Sequence, residues 1–205
     1  MTLPTLLFAT VIGFNHAFEA DHVLAVGNLA NKRKSFMAAL RDGLFWGLGH
    51  TSTILAVGCV IIIGKLALNM ATFELFEVGV GIALIVLGAL RLRKVRKDQV
   101  GLSEESLSRG SKMAYSIGLI HGLAGSGAVV LIAMSEIESS SLSLVYMLLF
   151  GAGSILGMMI VALLFKLPVS AKAGMNVKLQ RYFILLSGLL CMGYGVFMIF
   201  RYFQG

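Results

Sequence analysis

Six stretches of mostly apolar residues follow one another along this chain, at about 3–30, 42–64, 73–91, 113–135, 142–165 and 181–201. A helix needs roughly 20 such residues to cross the hydrocarbon of a bilayer. Nearly all of the 205 residues are therefore committed to spans, and little chain is left for anything else. With 58% hydrophobic residues, 13% charged residues and a mean hydropathy of +0.89, the chain lies outside the range of soluble globular domains. The expectation is an all-α polytopic membrane protein, a single membrane domain over 1–205 with six transmembrane helices. The first stretch has no basic leader and is interrupted by Asn15, His16, Glu19, Asp21 and His22, so it reads as a retained span and not as a cleavable signal.

Basic residues set the expected topology. Fifteen of the seventeen lysines and arginines fall in or beside the segments after windows one, three and five, and only Lys65 and Arg201 fall on the other side. By the positive-inside rule, loops 31–41, 92–112 and 166–181 are cytoplasmic and both termini extracytoplasmic. The same count explains the net charge of +7 without nucleic acid. Glu74, Glu77, Glu136 and Glu138 lie on the outward side, where they would draw cations toward an entrance or act as ordinary solvated loop charges.

The polar connection "RLRKVRKDQVGLSEESLSRGSK" divides the windows into two groups of three, 1–91 and 113–205, joined by a basic linker at 92–112. Gly13 to His16 and Gly118 to His121 share a Gly-x-x-His core at the start of each group. Three spans per group would make equivalent helices cross in opposite directions, the 3+3 inverted repeat of many secondary transporters, whose sites lie between the repeats. Ala114, Gly118, Gly122 and Ser126, at four-residue spacing, form a small-residue ridge of the kind that packs helices in lipid.

The polar residues inside the windows require a reason. An acidic side chain at a span centre costs about 2.5–3.5 kcal/mol on insertion scales, and the first window carries Glu19 and Asp21. On a continuous helix, Asn15, His16, Glu19 and His22 fall within roughly 120° of one another while Asp21 points elsewhere. Either Asp21 supports a second helix, or the span is locally unwound so that His16, Asp21 and His22 converge. His50 sits in window two among Gly47, Gly49, Thr51, Ser52 and Thr53, and His121 in window four completes the four histidines, none of them in a loop. Imidazole nitrogen with carboxylate oxygen suits divalent late transition metals such as nickel, cobalt, zinc or copper. A lone intramembrane histidine is often a packing residue, but four histidines with two acids at the starts of three windows point to a cation path. Cys59 and Cys191 read as small buried hydrophobes.

"HAFEADH", His16 to His22, resembles the H-x4-D-H signature of the nickel/cobalt transporter (NiCoT) family, and "GLGHTST", Gly47 to Thr53, resembles its second signature on the following helix. "HGLAGSGA", His121 to Ala128, is similar to a short six-helix, urease-accessory-type branch, and the acidic signatures of the family's second half are not recognisable. The resemblance implies a permease for Ni²⁺ or Co²⁺, and it nominates His16, Asp21, His22 and His50 as the metal site. Asn15, Glu19 and His121 are further candidates for metal or for a proton relay. The expected partners are a divalent metal ion as substrate and the lipid bilayer of a cytoplasmic membrane. No resident cofactor, catalytic residue or nucleic acid is expected. The rivals are a membrane-embedded metalloenzyme, for which no H-E-x-x-H helix is present, and a transporter of another small solute.

Overall fold

The computed structural model describes residues 3–30, 35–64, 70–96, 107–135, 137, 139–169 and 177–204. The described residues form seven helices: α1 (Leu3–His16), α2 (Ala20–Ala30), α3 (Phe36–Gly64), α4 (Met70–Arg96), α5 (Leu107–Ser135), α6 (Ser140–Val169) and α7 (Val177–Gln204). Four of them, α3, α4, α6 and α7, are long and apolar enough to cross a membrane. This is an all-helical membrane protein. Lys32, Arg33, Lys34, Lys65, Lys97, Lys172, Glu136 and Glu138 lie outside the described residues.

The first window is locally broken, which decides between the two readings of it that the sequence left open. Its helix stops at His16 and restarts at Ala20. The chain turns through Ala17–Glu19 by short-range bonds, in which the Phe18 N–H donates to the Asn15 carbonyl at 2.9 Å and the Glu19 N–H to the His16 carbonyl at 3.0 Å. The Glu19 carbonyl then accepts the Val23 N–H at 2.9 Å, starting α2. Asp21 sits in the first turn of α2, where a helix dipole favours negative charge.

Helices approach closely where glycine removes the side chain, and these contacts give both direction and register. A side chain at Gly13 would meet the backbone of Phe150, and one at Gly157 the side chain of Ala17, so α1 lies on α6 and runs the same way. A side chain at Gly118 would meet the backbone of Trp46, and one at Gly122 the backbone of His50, so α5 lies on α3, again in parallel. The two helix pairs face each other antiparallel, since Gly47 abuts Ile155 while Gly151 abuts Thr51. On the other side of the bundle Gly81 meets Gly195 and Gly88 meets Gly188, which makes α4 and α7 antiparallel as well. It follows that α1 and α5 run in opposite directions.

Hydroxyl groups reinforce these crossings. Thr51 Oγ1 donates to the Gly151 carbonyl at 3.3 Å, Thr53 Oγ1 to the Leu119 carbonyl at 3.0 Å, and Ser154 Oγ to the Gly13 carbonyl at 3.0 Å. Interhelical bonds of this kind replace the water that lipid does not supply. Much of the apolar surface stays on the outside, with Phe200, Val196, Leu186 and Leu156 all more than half exposed, as expected of helices that face acyl chains.

Candidate metal site

The four histidines meet where α1 ends, α2 begins and α3 and α5 pass. Centroids of the His16 and His22 rings are 4.5 Å apart, those of His22 and His50 4.9 Å, and those of His16 and His50 5.2 Å. The His121 ring adjoins that of His22 at 5.8 Å and lies 4.8 Å from Trp46. The break after His16 produces this convergence. On a continuous helix, His16 and His22 stand at different heights, whereas the turn at 17–19 brings His22 back beside His16.

Each imidazole is oriented by a neighbour. His16 Nδ1 lies 2.8 Å from Glu19 Oε1, His22 Nδ1 3.0 Å from Asp21 Oδ1, and His121 Nδ1 3.2 Å from the Ile117 carbonyl. Those oxygens can only accept from a neutral ring, which assigns the proton to Nδ1 in all three and leaves the lone pair on Nε2. The Nε2 atoms of His16, His22 and His121 and both ring nitrogens of His50 are buried without a hydrogen-bond partner among the described residues. Leaving a polar atom so costs about 1–3 kcal/mol. Five such nitrogens in one place are not the pattern of a packing core.

One ligand atom from each of His16, His22 and His50 can be chosen so that all lie within 4.8 Å of one another. Nitrogens bound to one small divalent ion at about 2.0–2.1 Å stand about 3–4 Å apart, so a small inward shift would close the group on a common atom. Glu19, Asp21 and His22 form a second such group, more exposed than the first. Asp21 therefore reaches the three histidines through His22, as an orienting carboxylate. Removal of such a partner typically weakens metal binding about 10- to 100-fold. An Asp21→Asn protein is expected to lose affinity by that amount in a nickel titration, because its amide no longer offsets the cation's charge and can hold His22 Nδ1–H only through its carbonyl. Glu19 is exposed, and so is Asn15, whose described bond is through its backbone.

A cleft of about 160 Å³ leads to this corner, lined by Glu19, Asp21, Glu77, Ala124, Tyr194, Phe197, Met198 and Arg201. Arg201 Nη2 and Glu77 Oε2 pair across its rim at 3.2 Å. Three carboxylates against one guanidinium make the entrance negative, which favours cations. The Thr51 and Thr53 hydroxyls, by contrast, are spent on neighbouring helices and fix the height of His50. Trp46, Phe150 and Tyr194 were not legible as site residues. Trp46 and Phe150 back the rings of His121 and His16, at 4.8 and 5.3 Å, and an aromatic residue in a span carries no signal that separates such a role from lipid contact. The two cysteines are free, and buried Cys191 donates to the Leu84 carbonyl at 3.3 Å, as a small buried side chain would.

Buried, oriented imidazoles beside an acidic cleft in a helical membrane protein define a candidate binding protein for a divalent metal. The chain is 34% identical over 209 residues to the urease accessory protein UreH of Bacillus sp. (strain TB-90), an alignment covering 95% of this chain and 90% of that protein. It is 30% identical over 70 residues to the hydrogenase nickel incorporation protein HupN of Bradyrhizobium diazoefficiens, covering 34% of this chain and 18% of that protein. The chain belongs to the UreH family, of nickel/cobalt transporter type. No family model matches the chain. No solved structure matches it.

Proposed function

We propose that the protein is a non-catalytic transporter that carries a divalent transition-metal ion, Ni²⁺ first and Co²⁺ second, across a cytoplasmic membrane, and that it belongs to the short six-helix, urease-accessory-type branch. The observation that carries this reading is the cluster of buried imidazole nitrogens without partners, three of them held as Nε2 lone-pair donors. Soft nitrogen ligands favour nickel, cobalt or zinc over magnesium or calcium, and the full-length relative is a urease accessory protein. In this reading the ion enters by the acidic cleft, loses water as it passes Glu19 and Asp21, and is held by His16, His22 and His50. Asp21 keeps His22 oriented and supplies negative charge. The ion is substrate, and no resident cofactor or enzymatic step is needed.

The architecture of this reading is six spans, α1 with α2 forming the first, as a 3+3 inverted repeat of 1–91 and 113–205 joined through 92–112. Two things support the repeat. The glycine contacts are reciprocal: Gly13 on Phe150 and Gly118 on Trp46, like Gly153 on Thr10 and Gly49 on Tyr115, are each displaced by nearly the same interval along the chain. Helix directions agree, since α1 opposes α5 and α4 opposes α7. With the basic loops inside, the acidic cleft opens outward and both termini are extracytoplasmic.

The test is uptake of radioactive nickel into proteoliposomes, metal by metal and with or without a pH gradient. The parent protein is expected to accumulate nickel, with cobalt competing, and a His16→Ala protein of normal yield is expected not to. Binding should weaken as the medium is acidified, because a proton on Nε2 removes the lone pair that a metal needs. Parental uptake by His16→Ala would refute the site, and turnover of a lipid or peptide without metal movement would favour a membrane metalloenzyme. Movement of another small solute without metal would favour the remaining rival.

A further inference from the structure

His121 has no place in the three-histidine group, yet it is buried, oriented and left with a bare Nε2 like the others. Its surroundings repeat those of His16. Each histidine follows by three residues a glycine that lets its helix lie on the backbone of the other half: Gly13 on Phe150, and Gly118 on Trp46. Each ring then rests on the side chain of that same residue, His16 on Phe150 at 5.3 Å and His121 on Trp46 at 4.8 Å. Side chains on a helix lean toward its N-terminus, and α1 and α5 run in opposite directions. The two rings therefore lean toward opposite ends of the bundle. Between them stands His22, the one ring in contact with both.

We propose that His121 and His22 form a second position for the transported cation, displaced along the bundle from the His16–His22–His50 position toward the end where α3 and α5 begin. The inference rests on the transport reading above and assigns it a direction of movement. The ion passes between the two positions by ligand exchange: a bond to His16 Nε2 breaks, a bond to His121 Nε2 forms, and His22 Nε2 is kept throughout. No proton moves, since His16 and His121 each carry theirs on Nδ1. Among the described residues His50 has no hydrogen-bond partner at either ring nitrogen, so none of them commits it to one tautomer, and it can turn a lone pair toward either position. The arrangement explains why a fourth imidazole is kept buried beyond the reach of the first three, at the cost of an unsatisfied nitrogen.

Equilibrium binding and vectorial uptake separate the two positions. Radioactive ⁶³Ni²⁺ is the probe, with the full-length protein in detergent for binding and in proteoliposomes for uptake. His121→Gln is expected to bind nickel nearly as the parent does, because the first position is intact, while uptake falls at least about tenfold. His121→Cys restores a ligand atom and is expected to recover a large part of that uptake, which a residue needed only for packing would not predict. Parental uptake by His121→Gln overturns the second position. A Cys protein no better than the Gln protein also overturns it, as does a loss of binding in His121→Gln equal to that in His16→Ala, which would put all four histidines in one shell. A parent protein that binds no nickel at all refutes the transport reading itself and is recognised without any His121 variant.

Discussion

Replacing His22 with alanine is expected to abolish nickel binding and uptake, a loss of at least about 100-fold. His22 is fully buried, and its ring lies within 4.5 to 5.8 Å of the other three histidine rings. No other imidazole has that place. Its loss removes a ligand from the first group, the shared ligand of the second position, and the partner that neutral Nδ1–H gives Asp21. Asp21 would then be a largely buried carboxylate with no partner from His22, so the corner would be worse than empty of one ligand. His22→Ala should therefore lose more uptake than His121→Gln, and it should lose binding as well, which the His121 change spares. Nickel uptake by a well-folded His22→Ala protein at the parental rate would remove this residue from the path and with it the convergence on which the site depends.

The second large effect concerns the scaffold. Gly118→Leu is expected to prevent stable assembly, with a cost of about 3 kcal/mol or more, at the upper end of what overpacking produces. Even a Cβ at this position would overlap the Trp46 carbonyl and would lie 3.1 Å from the His50 backbone nitrogen. Both obstacles are backbone, so no side-chain rotation relieves them, and α3 would have to move off α5. That movement would carry His50 away from His121 and His22. Gly79 supplies the control, because no described residue would lie within 4 Å of a Cβ at that position. Gly79→Ala should be neutral or stabilising by up to about 1 kcal/mol, since alanine is the better helix former. Monodisperse yield in detergent and the thermal unfolding midpoint report both outcomes, and a Gly118→Leu protein as stable as the parent would mean that α3 and α5 do not touch here.

Among the residues themselves, what could be read in advance follows a physical divide. Long apolar stretches announce helices in lipid because the bilayer forbids unsatisfied backbone, and four of the expected spans appear as α3, α4, α6 and α7 at close to their expected places. His16, His22 and His50 could be picked out because an imidazole has no cheap reason to sit among leucines, and the structure brings those three together. For the first span the sequence left two readings open, a continuous helix and a local break that lets His16 and His22 converge, because nothing in "HAFEAD" is a helix breaker such as proline or glycine. The structure has the break.

The sequence by itself determined that the chain is helical and membrane-bound, and which side chains are too polar to be there without a task, because both follow from the cost of transfer into oil. Only the tertiary structure decided that the first helix stops at His16, that Asp21 and Glu19 orient histidines at Nδ1, and that Trp46 and Phe150 back the rings of His121 and His16. Those facts depend on where glycines let α1, α3, α5 and α6 lie backbone against backbone. Transfer cost is a property of each residue taken singly, but convergence belongs to helices packed at one height, and residues far apart in the chain set that height jointly.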